Sequence, residues 1–591
     1  MLTKMQPQPV TSVRDQFLSR ITVPVPHAVL DYALGLQELE RLLHTVDQGE
    51  GQIYERFLSA LGVGCHCPPE DLARIPKTGP AVVVANHPFG LLEGPLLGSL
   101  LTAVRPDVKF LANSVLAGVR QLTSVVIPVD PFGNASVQGN GRGLREALRW
   151  LSGGGLLVVF PAGEVSSIQF PRPVVSDPQW HRQIIGIIRR TRAKVVPVYL
   201  PGGNSLAFHM AGVLHPMFRT ALLPREFLNK KQRRFEVVVG RPIPPERYDD
   251  FANPDEAVDY LRRRTYLLGN RLVQPKPALF PRKPHAAVEP AGAVGALTAE
   301  LEALEPGAVL AASGEYTAYL AGASQIPKIL REIGRLRELT FRAEGEGTGG
   351  AIDLDRFDNH YKHLFLWNRE RLEVAGAYRL AVTDEVLGRF GPAGLYSSTL
   401  FRIPEAWWKQ VDPAIELGRS FVRSEYQRSY QPLLLLWKAI GAFVARHPRY
   451  TRLFGPVSIS HHYSRAAKDL IVAYFLQRNG SRDCGIRPRK PFRAGVFGAR
   501  EIQELARSLQ SVEELAQIVS DVEPDQAGIP VLLRQYAGLG GEILAFNVDP
   551  GFSYALDGLI LVDLNKTGRR MVERYLGKEG AARFYENNGG D

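Results

Sequence analysis

From Ala81 to Val239 the chain repeats one pattern, a short apolar run followed by a longer stretch of helical or irregular spacing. The runs are Ala81–Ala85, Val108–Ala112, Leu156–Phe160, Val195–Leu200 and Phe235–Val239, and the helical stretches between them include Arg142–Leu151 and Gln183–Arg192. Three of the five runs have no charged member, and strands so apolar must be covered by something else. The alternation predicts an α/β domain, a sheet covered by helices. Upstream, Leu30 to Val46 spaces Leu and Tyr as an amphipathic helix expected to pack into the core.

The pattern then breaks. Gln274 to Pro290 carries Pro275, Pro277, Pro281, Pro284 and Pro290, and an Ala/Gly-rich stretch follows. Such a segment is semi-rigid and joins a sheet poorly. With 591 residues the chain is too long for one core. The reading is a first domain over 1–273, a Pro/Ala-rich linker over 274–305 and a second domain over 306–591. The second half restarts with helix-like Ile326–Leu339, then "HLFLWNRERLEVAGAYRL", two strands joined by a polar turn, then a long helix from Tyr430 to Arg446.

The net charge of +11 suits an anionic partner, whether nucleic acid, anionic lipid or an acidic carrier protein. No aromatic-basic RNA motif, helix-turn-helix or zinc finger is present, which disfavours nucleic acid. The three cysteines, Cys65, Cys67 and Cys484, cannot build a disulfide framework. Cys65-His66-Cys67 lacks a second ligand pair, so no metal site is expected. No apolar h-region follows the opening "MLTKMQPQPV", and Leu433 to Ala445 is interrupted by Lys438 and too short to span a bilayer. The expected place is the cytoplasm, peripheral on the inner face of the membrane.

Directly after the first apolar run stands "ANHPFGLLEG", Ala85 to Gly94. It puts His87 and Glu93 close together at the mouth of a buried strand, and an imidazole oriented by a carboxylate can take a proton from a hydroxyl. Pro88, Gly90 and Gly94 favour a turn. Then come "VIPVDPFGN" (Ile127 to Asn134), "NGRGLREAL", "LLVVFPAGEVS" and "KVVPVYL". The ordered set, over roughly residues 70 to 250, resembles the glycerolipid acyltransferases. The resemblance implies that His87 is the base and Glu93 its partner. Gly163 and its neighbours would supply N–H donors to the thioester oxyanion. Arg142 and Glu164 would meet the acceptor head group. Two departures stand out: five residues separate His87 from Glu93 where the family has four, and "PAGE" replaces Pro-Glu-Gly-Thr. Both are more similar to hemolysin-like enzymes of amino-acid lipids than to phosphatidic-acid enzymes.

In the second half, "FDNHYKHLFLW", "VAGAYRL" and "IELGRSFVRSEYQ" contain Glu416 and Arg419, three residues apart. On spacing alone these could form a plain surface ion pair. The order of segments, from about Asp355 to the end, resembles the N-acyltransferases of ornithine-lipid synthesis, a branch of the GNAT superfamily similar to acyl-homoserine-lactone synthases. That resemblance implies an α+β domain in which Glu416, or a water it holds, accepts a proton from an α-amine. Arg419 would bind the amino-acid carboxylate. Asp557 is a further polar candidate, or a turn residue of "LDG".

Together the halves resemble a bifunctional ornithine-lipid-type synthase, N-acylating an amino acid with a 3-hydroxyacyl chain and then O-acylating that hydroxyl. No cofactor is implied, only an acyl thioester on acyl carrier protein or coenzyme A. The implied partners are acyl carrier protein, an anionic membrane surface, an amino acid and a lyso-lipid. Two alternatives stay open: a glycerophosphate-type O-acyltransferase with a carrier-docking second domain, and a membrane- or carrier-binding module without activity.

Overall fold

Val82, Val83 and Val84 are fully buried at the centre of a six-stranded sheet. The computed structural model describes residues 31–32, 34–113, 116, 122–129, 137–169, 173–273, 285–478, 484–495 and 499–589. The opening decapeptide, "DPFGN" and the prolines 275, 277, 281 and 284 lie outside these residues. The chain divides into two units, Met1–Val273 and Gln274–Asp591.

In the first unit the strands are β1 (Ala81–Ala85), β2 (Val108–Asn113), β3 (Val126–Val129), β4 (Leu156–Val159), β5 (Lys194–Tyr199) and β6 (Val238–Val239), in the order β6-β5-β1-β4-β2-β3. All neighbours are parallel except the edge pair β5–β6. Each buried valine contributes about 1.5–3 kcal/mol, so the central run of β1 is a large part of the core. The helix Leu36–Gln48 buries Leu39, Leu42, Leu43 and Val46 in that same core.

One expected strand is two. Arg234–Glu236 pairs in parallel with Gly64–His66, whereas Val238–Val239 joins the main sheet. The switch falls at Val237, whose N–H donates to the His66 carbonyl at 2.9 Å. Cys65 and Cys67 are free thiols that burial pushes up to about 12.

The second unit holds an eight-stranded sheet: β7 (Val309–Ser313), β8 (Tyr316–Gly322), β9 (Lys362–Asn368), β10 (Glu373–Val382), β11 (Ala414–Val422), β12 (Arg452–Ile459), β13 (Glu542–Asp549) and β14 (Ala555–Asp563). Its order is β7-β8-β9-β10-β11-β12-β14-β13. One face of β9 and β10, with Phe365, Trp367 and Ala377, packs on Ile329, Ile333 and Leu336 of the helix Pro327–Ala343. Tyr378 comes next in the strand and so points to the other face, where its ring lies 6.5 Å from Trp437 of the helix Gln431–Arg446. Helices thus cover both faces, the α+β arrangement.

Part of the segment read as linker belongs to this unit. Val294–Glu302 is helical and buries Leu297 beside Ile329 and Ile333. Among the described residues, no helix is long and apolar enough to cross a membrane.

Among the described residues, the only parallel pair in the second sheet is β11–β12, and it holds for three residues, Ala414–Glu416 against Arg452–Phe454. β12 then continues along β14 as far as Ile459, while β11 continues along β10 as far as Val422. The two strands separate after Glu416 and open a notch in the sheet.

Candidate active sites

His87 leaves β1 at its carboxyl end, where open parallel sheets gather ligand-binding groups. Its Nδ1 lies 3.2 Å from Glu93 Oε1. Glu93 is fully buried in the first turn of the helix Glu93–Thr102, where the helix dipole favours a negative charge. The same Oε1 accepts the N–H of Phe89 at 2.6 Å and of Gly90 at 3.0 Å. Gly90 adopts φ 94, a conformation that suits glycine and turns its N–H toward the carboxylate. The five residues between histidine and acid are thus a loop folded around the acid.

The His87 ring stacks on Phe160 at 4.4 Å. Its backbone is held from both sides: the N–H donates to Asp177 Oδ1 at 3.1 Å and the carbonyl accepts from Ser166 N–H at 2.9 Å. Asp177 also receives the Ser166 hydroxyl and the Trp180 indole N–H. Burial opposes the imidazolium, but the charges of Glu93 and Asp177 outweigh it and hold His87 above its ordinary pKa. Burial also opposes the Glu93 carboxylate; His87 and the two backbone donors outweigh it and hold Glu93 below the usual range.

The other residues named from sequence scatter around this pair. Gly163 takes φ 67 and donates its N–H to the Phe160 carbonyl at 3.0 Å, closing a turn. That N–H is engaged and is not an oxyanion donor as the chain stands. Glu164 Oε2 accepts from Arg219 Nη2 at 3.0 Å. Arg142 is exposed on the helix Val137–Ser152, and nothing among the described residues ties it to His87. Asp177 was invisible in sequence; its one signal is its place before Pro178, where chains turn.

In the second unit Glu416 lies on β11 at the last paired position before the notch. It is 1% exposed and accepts from Tyr361 Oη, the Tyr396 N–H at 3.0 Å and the Ser397 N–H at 2.7 Å. A carboxylate so satisfied is a strut for the loop at Tyr396, which corrects the expectation that it accepts the substrate proton. Arg419 sits at a bulge of β11 with φ 48. Its Nε meets Asp353 Oδ2 at 3.1 Å, its Nη2 lies 3.8 Å from Asp355 Oδ2, and its Nη1 donates to Tyr396 Oη at 3.2 Å. Burial works against this cation and the two aspartates outweigh it, so its pKa is raised. The guanidinium is bound to acids of its own chain, so a substrate carboxylate would have to compete with them.

Two acids near Arg419 are less well satisfied. Burial pushes the Glu346 carboxyl up to about 7, against a hydrogen bond from Ser458 Oγ at 2.7 Å. Asp557, paired across the sheet with Ser458, keeps Oδ2 without a hydrogen-bond partner and is held well above the carboxylate range by burial, Asp549 and Glu346. Asp557 is thus a buried strand residue and not part of a turn. Glu346 was missed in sequence, hidden in the Gly-rich "GEGTGG".

Comparison with known proteins fits these two geometries. Residues 53–274 match the acyltransferase family and residues 336–438 the acetyltransferase (GNAT) domain. A glycine N(alpha)-acyltransferase of Phocaeicola vulgatus is 34% identical over 255 residues, 41% of this chain and 77% of that protein. The chain belongs to this acyltransferase family. A glycine N(alpha)-acyltransferase of Bacteroides thetaiotaomicron is 31% identical over 264 residues, 42% of this chain and 75% of its own. A lyso-glycine lipid O-acyltransferase of Phocaeicola vulgatus is 26% identical over 208 residues, 33% of this chain and 71% of its own. The chain is an acyltransferase enzyme, with an α/β acyltransferase domain followed by a GNAT domain.

Proposed function

We propose that this chain makes a two-chain aminolipid, its second unit N-acylating glycine with a 3-hydroxyacyl chain and its first unit O-acylating that hydroxyl. The observation that carries the reading is the buried His87–Glu93 pair at a strand end, in a chain that also carries a GNAT domain. Glycine is preferred to ornithine because the relatives that are 34% and 31% identical are named for it.

In the first step the amine nitrogen attacks the thioester carbonyl. The C–N bond forms, the C–S bond breaks, and the amine proton passes to Glu346 and finally to the departing thiolate. A base with a pKa near 7 is well matched to this task at neutral pH. The notch between β11 and β12 leaves strand edges unpaired, which suits an extended thioester arm pairing with backbone. In the second step Nε2 of His87 takes the proton of the lyso-lipid hydroxyl as its oxygen attacks a second thioester. The C–O bond forms, the C–S bond breaks, and His87 returns the proton to the departing thiolate. Nδ1 faces Glu93, which steadies the imidazolium that forms. A net charge of +11 favours acidic acyl carrier protein as the donor of both chains.

A second reading keeps ornithine as acceptor. It is favoured by the acidic cluster at Asp557, whose carboxyl is raised by burial, Asp549 and Glu346, since such a cluster suits a second ammonium charge. Expression in a host without aminolipids, with mass spectrometry of its lipid extract, tests both. A phosphorus-free glycine lipid with one amide and one ester chain supports the proposal. An ornithine lipid moves it to the second reading, and a change in glycerophospholipids alone overturns it.

A further inference from the structure

We infer that the helical hairpin after β5 is a membrane seat, a face that rests on an anionic lipid bilayer beside His87. The helix Leu206–Leu214 presents Leu206, Met210, Val213 and Leu214 at spacings of four, three and one, which puts them on one side. These four are 73%, 55%, 55% and 80% exposed, while Phe208 on the opposite side is buried. Phe218, on the next helix, Pro216–Leu228, is also exposed, as are Val174 and Val175 of the hairpin beside Gly203. Large apolar side chains exposed together in this way mark a surface that meets something apolar.

The charge around them selects the occupant. From Ser205 to Arg234 the chain carries six Lys or Arg and one Glu. Glu226, the one acid, is turned inward: it caps Ser205 and pairs with Lys230 at 3.4 Å. Glu164 and Glu38 face this segment from elsewhere and are paired with Arg219 and Lys231. The stem of Arg219 lies against Gly212 of the apolar helix, and Arg225 on the second helix is exposed. An apolar face bordered by cations is the pattern of a helix lying in the interface of an anionic membrane.

The seat is fastened to the catalytic loop. Asn204 Nδ2 donates to the Phe89 carbonyl at 3.1 Å, and Lys230 Nζ lies 5.3 Å from the centre of the Phe89 ring. Leu223 of the second helix lies against Gly90, so closely that a Cβ there would meet it at 2.5 Å. Phe89 and Gly90 in turn hold Glu93. The bilayer would therefore meet the protein at a fixed distance from His87, which lets a lyso-lipid hydroxyl reach the base without leaving the membrane.

The test is sedimentation of the full chain with phosphatidylcholine vesicles, with and without phosphatidylglycerol, comparing wild type with Leu206→Ser/Leu214→Ser. Both leucines are exposed, and an unchanged thermal midpoint shows that the variant is folded. The expected result is binding that requires phosphatidylglycerol, weakens with salt and falls about tenfold or more in the variant. Equal binding of the two proteins, or no wild-type binding, overturns the proposal. So does a variant that binds vesicles normally but loses capture by acyl carrier protein or self-association, since the occupant is then a protein. Vesicle binding needs no turnover, so it is read independently of the proposed O-acylation, on which only the purpose of the seat rests.

Discussion

Glu93 Oε1 is shared between the His87 ring at 3.2 Å and the N–H groups of Phe89 and Gly90. The loop that carries the base therefore also fixes the acid, and neither can move without the other. This geometry places His87 in one orientation and keeps its partner charged.

Replacing Glu93 by Gln keeps the shape and removes the charge. O-acylation should fall by about 10²-fold or more, the scale of oriented general-base catalysis. The rising limb of its pH–rate profile should move to lower pH, because the largest influence raising the His87 pKa is gone. An unchanged limb would remove Glu93 from the account.

Stability should follow the same pair. The raised His87 favours folding below its unfolded pKa of about 6.5, and this is lost as pH rises through the folded value. The depressed Glu93 favours folding above about 4.3, and this is lost as pH falls through its folded value. Both contributions are complete between roughly pH 4.3 and 6.5. Urea titrations of wild type and His87→Ala should differ most in that window and converge outside it.

Much of the first unit is legible because short apolar runs alternating with helical stretches read as covered strands, and because His87 and Glu93 are neighbours along the chain. Asp177 was not legible: it reaches His87 across 90 residues, and only the fold brings it there. The same is true of Glu346, 112 residues from Ser458. Glu416 and Arg419 were singled out by the order of segments around them, since spacing alone allowed a plain surface ion pair. Three apart on a regular strand, they would point to opposite faces. The bulge at Arg419 resets the alternation, so both meet Tyr396, one at its N–H and one at its hydroxyl.

Glu346→Gln should lower N-acylation by about 10²-fold or more and erase an inflection near pH 7, its carboxyl being pushed up to about 7 by burial. Pre-steady-state assays with glycine and an acyl-carrier thioester would show this. Retention of the inflection would give the proton to another group.

Arg337 is fully buried and pairs with Asp358 at 2.8 Å, and Asp358 also meets Arg379 at 3.2 Å. Asp358→Ala leaves two buried cations short of a partner, at a cost of about 3–5 kcal/mol. The second unit's unfolding transition should shift to lower urea. The first unit's transition should stay in place, and a shift in both would contradict the assignment.

The most direct measurement is the lipid extract of cells expressing His87→Ala beside wild type, resolved by mass spectrometry. The account predicts that the two-chain aminolipid disappears and the one-chain N-acyl form accumulates, because only the second acylation uses His87. A two-chain lipid at wild-type level in the variant would contradict it.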